Sequence, residues 1–62
     1  MYIIFDLRAV DEDGLEDALV LDTADTIPEA REAAKDQGGG IIWREVKDHY
    51  VFVEIVHCGG KK

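Results

Sequence analysis

The sequence predicts an α+β domain of order ββαββ, a four-stranded antiparallel sheet with one helix packed on one face. Two observations carry this. The segments "YIIFDLRAV", "DALVLDT" and "YVFVEIVH" favour β-branched and aromatic residues with period-two alternation, and "IIWREV" reads as a fourth strand. Between the second and third of these four strands, "TIPEAREAAKDQGGG" carries both a start and a stop signal for a helix. A chain of 62 residues, 47% of them apolar, holds one small core and no second domain. The expected domain covers residues 1–58, with 59–62 as a polar tail.

The first strand places Ile3, Phe5, Leu7 and Ala9 on one face and Tyr2, Ile4, Asp6 and Arg8 on the other. "DEDG" then turns the chain, and the second strand returns as a hairpin with Leu19 and Leu21 inward. Thr26 suits the helix N-cap, with Glu29 three residues on, and Pro28 fits the first turn, where its missing N–H has no helical acceptor. Ile27, Ala30, Ala33 and Ala34 form a narrow apolar stripe over a helix spanning 27–37. Gly38 follows as the residue that ends it, and Gly39 and Gly40 supply slack before the third strand. The last strand is apolar on both faces, which predicts an interior position in the sheet. The helix-covered face is then expected to hold Ile3, Phe5, Leu7, Leu19, Leu21, Val51, Val53 and Ile55. Tyr2, Ile4, Tyr50 and Phe52, with Trp43, are expected on the open face as an apolar interface.

Charge is the strongest signal outside the fold. The net charge is −7, yet residues 1–30 hold nine acids against Arg8 alone, and residues 31–62 hold five acids against six bases. "AVDEDGLEDALVLDTAD", residues 9–25, contains half of the acidic side chains and no basic one. Such a field repels phosphates, so exposed aromatics here do not imply nucleic-acid binding by the chain itself.

Several chemistries fail on residue type or spacing. An EF-hand loop started at Asp11 would put Leu15 at its fifth position and Glu16 at its sixth, where an oxygen ligand and glycine are needed. His57 and Cys58 are strand neighbours that point to opposite faces, and His49 lies a strand length away, so no zinc set forms. The chain has no serine, and Cys58 sits beside a terminal tail. "GGG" follows a helix instead of preceding one, so it does not cradle phosphate. No catalytic group, metal or cofactor is expected. A single cysteine and the absence of a basic, apolar leader point to a cytoplasmic protein.

Crowded carboxylates cost folding energy, and solubility does not require them in one half of the chain. Acids at alternate strand positions lie roughly 6.6 to 6.8 Å apart on one side, so a carboxylate-studded hairpin can imitate a nucleic-acid backbone. The candidate binding surface is Asp11, Glu12, Asp13, Glu16, Asp17, Asp22 and Asp25. In size, acidity and strand order, through "YIIFDLRAV", "TIPEAREAAKDQGGG" and the final strands, the chain resembles the small phage-encoded anti-CRISPR inhibitors, several of which act as DNA mimics. The resemblance implies a basic DNA-binding partner such as a CRISPR surveillance subunit, met in the host cytoplasm, without direct contact with nucleic acid or membrane. A second reading is an accessory module that homodimerises through its open sheet face. A hairpin tip made acidic to block edge-to-edge aggregation is the structural alternative to both.

Overall fold

Alternation builds four strands, and the capped alanine segment builds the helix between the second and third. The computed structural model describes residues 1–57, apart from the side chain of Glu12. Cys58 and the expected tail at 59–62 lie outside the described residues. The elements are β1 (Tyr2–Phe5), β2 (Val20–Ala24), α1 (Ile27–Asp36), β3 (Gly39–Glu45) and β4 (Tyr50–His57). They form one antiparallel sheet in the order β2-β1-β3-β4. Because β2 and β3 flank β1, α1 must carry the chain across β1, which lays the helix over one face.

The helix ends obey the sequence signals. Thr26 Oγ1 accepts a hydrogen bond from the Glu29 backbone N–H at 3.3 Å and donates one to Glu29 Oε1 at 3.1 Å. Gly38 takes a positive φ of 84° just past the helix, and its N–H donates to the Lys35 carbonyl at 3.0 Å. Ala30 and Ala34 are fully buried against Ile4, Ile42 and Val56. Small alanines let the helix approach until Ile4 and Ile42 lose all contact with water, a burial that contributes about 1.5–3 kcal/mol for each isoleucine. Two bulges add to this layer. Leu21 is the extra residue between the pairs Ile4–Asp22 and Phe5–Val20, and Val53 is the extra residue between Ile42–Glu54 and Trp43–Phe52. Both extra residues pack on the helix-side core.

The faces of β1 are opposite to expectation. Tyr2 and Ile4 turn toward the helix, so they form no open patch, whereas Ile3 and Phe5 point to the far side. Alternation separates the two sets but does not say which one meets the helix. The far side is also not open: Ile3, Phe5, Ala9, Ile41 and Trp43 form a second core, covered by Leu15 and Ala18. Trp43, expected in the open, is only 4% exposed. β4 is an edge strand, not an interior one. Gly39 and Gly40 are buried residues of β3 instead of slack, and a Cβ on Gly40 would lie 2.8 Å from the Phe5 carbonyl oxygen.

β1 is shorter than expected because Asp6 ends it. Its carboxylate accepts the Arg8 N–H at 3.0 Å, a local turn that competes with strand pairing. Residues 6–19 then leave the sheet as a long covering connection instead of a tight hairpin. Leu7 and Leu19, both expected inward, are exposed as a result, as are Val51 and Ile55 on the edge strand.

Candidate binding surface

The connection over residues 6–19 carries Asp11, Asp13, Glu16 and Asp17, and one buried polar contact anchors it to the sheet beside the packing of Leu15 and Ala18. The Trp43 indole N–H donates to the Ala9 carbonyl at 2.9 Å, and the Ala9 side chain is fully buried beneath it. A buried carbonyl without that donor would carry an uncompensated desolvation cost of about 1–3 kcal/mol. The bond therefore fixes where the acidic segment begins.

Beyond Ala9 the segment makes its own structure. Asp11 caps a single 3-10 turn, Glu12–Glu16, by accepting the Gly14 N–H on its carboxylate at 2.9 Å. The Gly14 and Asp17 N–H groups donate to the Asp11 and Gly14 carbonyls at 3.0 and 3.2 Å. Gly14 has no room for a side chain, since a Cβ there would lie 2.7 Å from the Arg8 carbonyl oxygen. Leu15 and Ala18 turn inward onto the sheet. Asp11, Asp13, Glu16 and Asp17 are exposed.

The other expected site residues are distributed differently. Asp22 is exposed on β2 and pairs with Ile4, which puts it on the helix side, away from the connection. Its carboxylate accepts the Thr23 N–H at 2.8 Å. Asp25 is exposed just past the end of β2, roughly 10 Å along the chain from Asp22, next to the positive N-terminal end of α1. The acids are thus divided, with the densest group on the segment that covers the far face over β1 and β3 and with Asp22 and Asp25 along β2. Of the expected apolar interface, Tyr50 and Phe52 do lie on the far side of the sheet. Tyr50 is half-buried, edge-on to Phe5 at 6.1 Å, and Phe52 is exposed, edge-on to Trp43 at 5.6 Å.

Sequence reasoning missed the apolar residues around the acids. Leu7, Val10 and Leu19 on the connection and Val20 at the start of β2 are all exposed, with Leu19 at 65%. Asp6 and Leu19 are joined by a backbone hydrogen bond of 2.9 Å, so the two ends of the connection stand side by side. The position of Asp6 ahead of "LR" was the sequence signal for this exposure, because its carboxylate starts a turn.

Among the described residues the only ion pair is Arg31–Glu54, at 2.8 Å, joining α1 to β4. The hydrogen bond to Glu54, and then its negative charge, raise the Arg31 pKa above its ordinary value. Among the described residues Asp11, Asp13, Glu16 and Asp17 have no such partner. Among the described residues no three His, Cys, Asp or Glu side chains converge as metal ligands would. Among the same residues no helix is long and apolar enough to cross a membrane. The chain matches no protein-family model, and no significant match is found among curated proteins or solved structures.

Proposed function

We propose that this chain is a non-enzymatic inhibitor that occupies a basic DNA-binding surface of another protein by acidic mimicry of DNA. One observation carries the reading: Asp11, Asp13, Glu16 and Asp17 are exposed and without ion-pair partners among the described residues, on a segment held to the core by Trp43 and bordered by exposed Leu7, Val10 and Leu19. A device for solubility alone gains nothing from exposed leucines beside its charges. A protein-binding surface uses both, since charge steers encounter and apolar contacts hold the complex. A segment ordered before binding also loses less conformational freedom on association. By resemblance, the first target class to test is a CRISPR effector, whose channel for DNA is lined with lysine and arginine.

The test is a competition. Purified effectors and other basic DNA-binding proteins are loaded with labelled duplex DNA, and the chain is titrated in at low and at high salt. The expected result is release of DNA from a target at low salt and markedly weaker release at high salt, because exposed charges are screened over about 8–10 Å near physiological ionic strength. Failure to displace DNA from any of them, or displacement insensitive to salt, contradicts the proposal.

A further inference from the structure

The two edges of the sheet are unlike. β2 is five residues long and charged by Asp22, features that discourage pairing with another strand. β4 is eight residues long and has β3 on one side only. Val51, Phe52 and Ile55 stand exposed along it, and its one acid, Glu54, is already paired with Arg31.

The bulge in β4 gives this edge an unusual symmetry. Pairing with β3 places Tyr50, Phe52, Ile55 and His57 on the far side of the sheet, opposite Glu45, Trp43, Ile41 and Gly39. It places Val51, Glu54 and Val56 on the helix side, opposite Arg44, Ile42 and Gly40, and Val53 packs on that side too. Directly opposed residues of antiparallel strands must share a face. A strand with regular alternation meets a copy of itself only in registers that place a residue opposite its own twin or two residues away from it. The bulge shifts the pattern by one, so the register that matches faces along all of β4 is centred between Val53 and Glu54. In that register Phe52 meets Ile55 twice, Val51 meets Val56 twice, Tyr50 meets His57 twice, and Val53 meets Glu54 twice.

We infer that two copies of this chain join β4 to β4, antiparallel about a two-fold axis between Val53 and Glu54, into one eight-stranded sheet. The matched faces and the apolar pairs of this register favour a second copy as the occupant. Each chain carries −7, and two of its acids, Asp22 and Asp25, lie on or beside β2 at the opposite edge of the sheet from β4. In the dimer the two β2 strands stand roughly 34 Å apart, at about 4.8 Å per strand, several screening lengths at physiological salt. The pairing is isologous, so it closes on itself and leaves no free β4 edge to propagate. It stands whether or not the acids of the connection bind a DNA-handling protein.

Sedimentation equilibrium and disulfide trapping test this. The full chain is expected to sediment at twice its 6.9 kDa mass, and Ile55→Lys to sediment as a monomer with an unchanged circular dichroism spectrum. For the register, Phe52→Cys and Ile55→Cys are made separately in a Cys58→Ser chain. Cβ atoms of opposed residues lie about 4.5–5.5 Å apart, near disulfide reach. A mixture of the two variants is expected to give a disulfide-linked dimer under mild oxidation, and neither variant alone is expected to do so. Because trapping does not depend on Ile55→Lys folding, it decides the matter even if that variant is unstable. A wild-type chain that stays monomeric, a dimer unaffected by Ile55→Lys in a folded chain, or equal trapping of each variant alone overturns the inference.

Discussion

Replacing Trp43 with phenylalanine removes the one buried side-chain hydrogen bond that holds the acidic connection to the sheet. The ring stays apolar and can still meet Phe52, so the change isolates the bond to the Ala9 carbonyl and the lost part of the indole. Ala9 is fully buried, and its carbonyl would lose its donor, at a cost of about 1–3 kcal/mol. The smaller ring lacks two carbons and the nitrogen, which adds about 1–2 kcal/mol at about 0.8 kcal/mol per buried carbon. At about 3.5 kcal/mol in total, and with about 4–8 °C lost per kcal/mol in a domain of this size, the melting temperature should fall by about 14–28 °C. Far-UV circular dichroism, read at equal protein concentrations, measures this without relying on the tryptophan that is being removed. The same variant should be cleaved sooner by protease within residues 9–18. A melting temperature within about 3 °C of the parent, with unchanged cleavage, would refute the claim that this bond pins the connection.

Gly40→Ala should destabilise by about 1–3 kcal/mol in urea denaturation, because its Cβ would press on the Phe5 carbonyl oxygen at 2.8 Å and on Ile4 Cγ2 at 2.9 Å in a filled core. Gly38→Ala meets no neighbour within 4 Å, so its cost should come from the positive φ alone, about 1–2 kcal/mol, and Gly38→Asn should recover part of it. Arg31→Gln should leave the melting temperature almost unchanged. The Arg31–Glu54 pair is largely solvated, with the two side chains 55% and 32% exposed, and whatever it contributes should shrink further in salt.

Element order was legible because it rests on local signals. Thr26, Pro28, Glu29 and Gly38 act within one or two turns of themselves, and the helix begins and ends where they dictate. The antiparallel pairing of the first two strands was legible for the same kind of reason, through their alternation. What was not legible depends on contacts distant in sequence. Ile3 and Ile4 are equally apolar, and only the docking of α1 through Ala30 and Ala34 decides that Ile4 faces it. The burial of Trp43 depends on Ala9, thirty-four positions away, so period-two reasoning left the indole in the open. At the site, the acidic composition of residues 9–25 was plain. That their segment leaves the sheet at Asp6 and carries Leu7 and Leu19 outward depends on a single side-chain turn. Bulges at Leu21 and Val53 are likewise invisible to alternation, though each moves a residue from one face to the other.

The central claim, that the acidic connection is a located binding surface, is tested most directly by comparing two charge reversals. Asp13, Glu16 and Asp17 lie on the connection, whereas Glu32 and Asp36 lie on α1 and Asp48 in the turn between β3 and β4. All six are exposed, and none accepts a side-chain hydrogen bond among the described residues, so reversal leaves the fold's own contacts in place. Changing either set to lysine shifts net charge by the same amount. The affinity of each variant for the DNA-binding protein identified by competition is then measured by calorimetry at fixed salt. The account predicts that reversing Asp13, Glu16 and Asp17 weakens binding by at least about 1.4 kcal/mol, a factor of ten, beyond the loss in the other variant. Equal losses, or none in either, would contradict it.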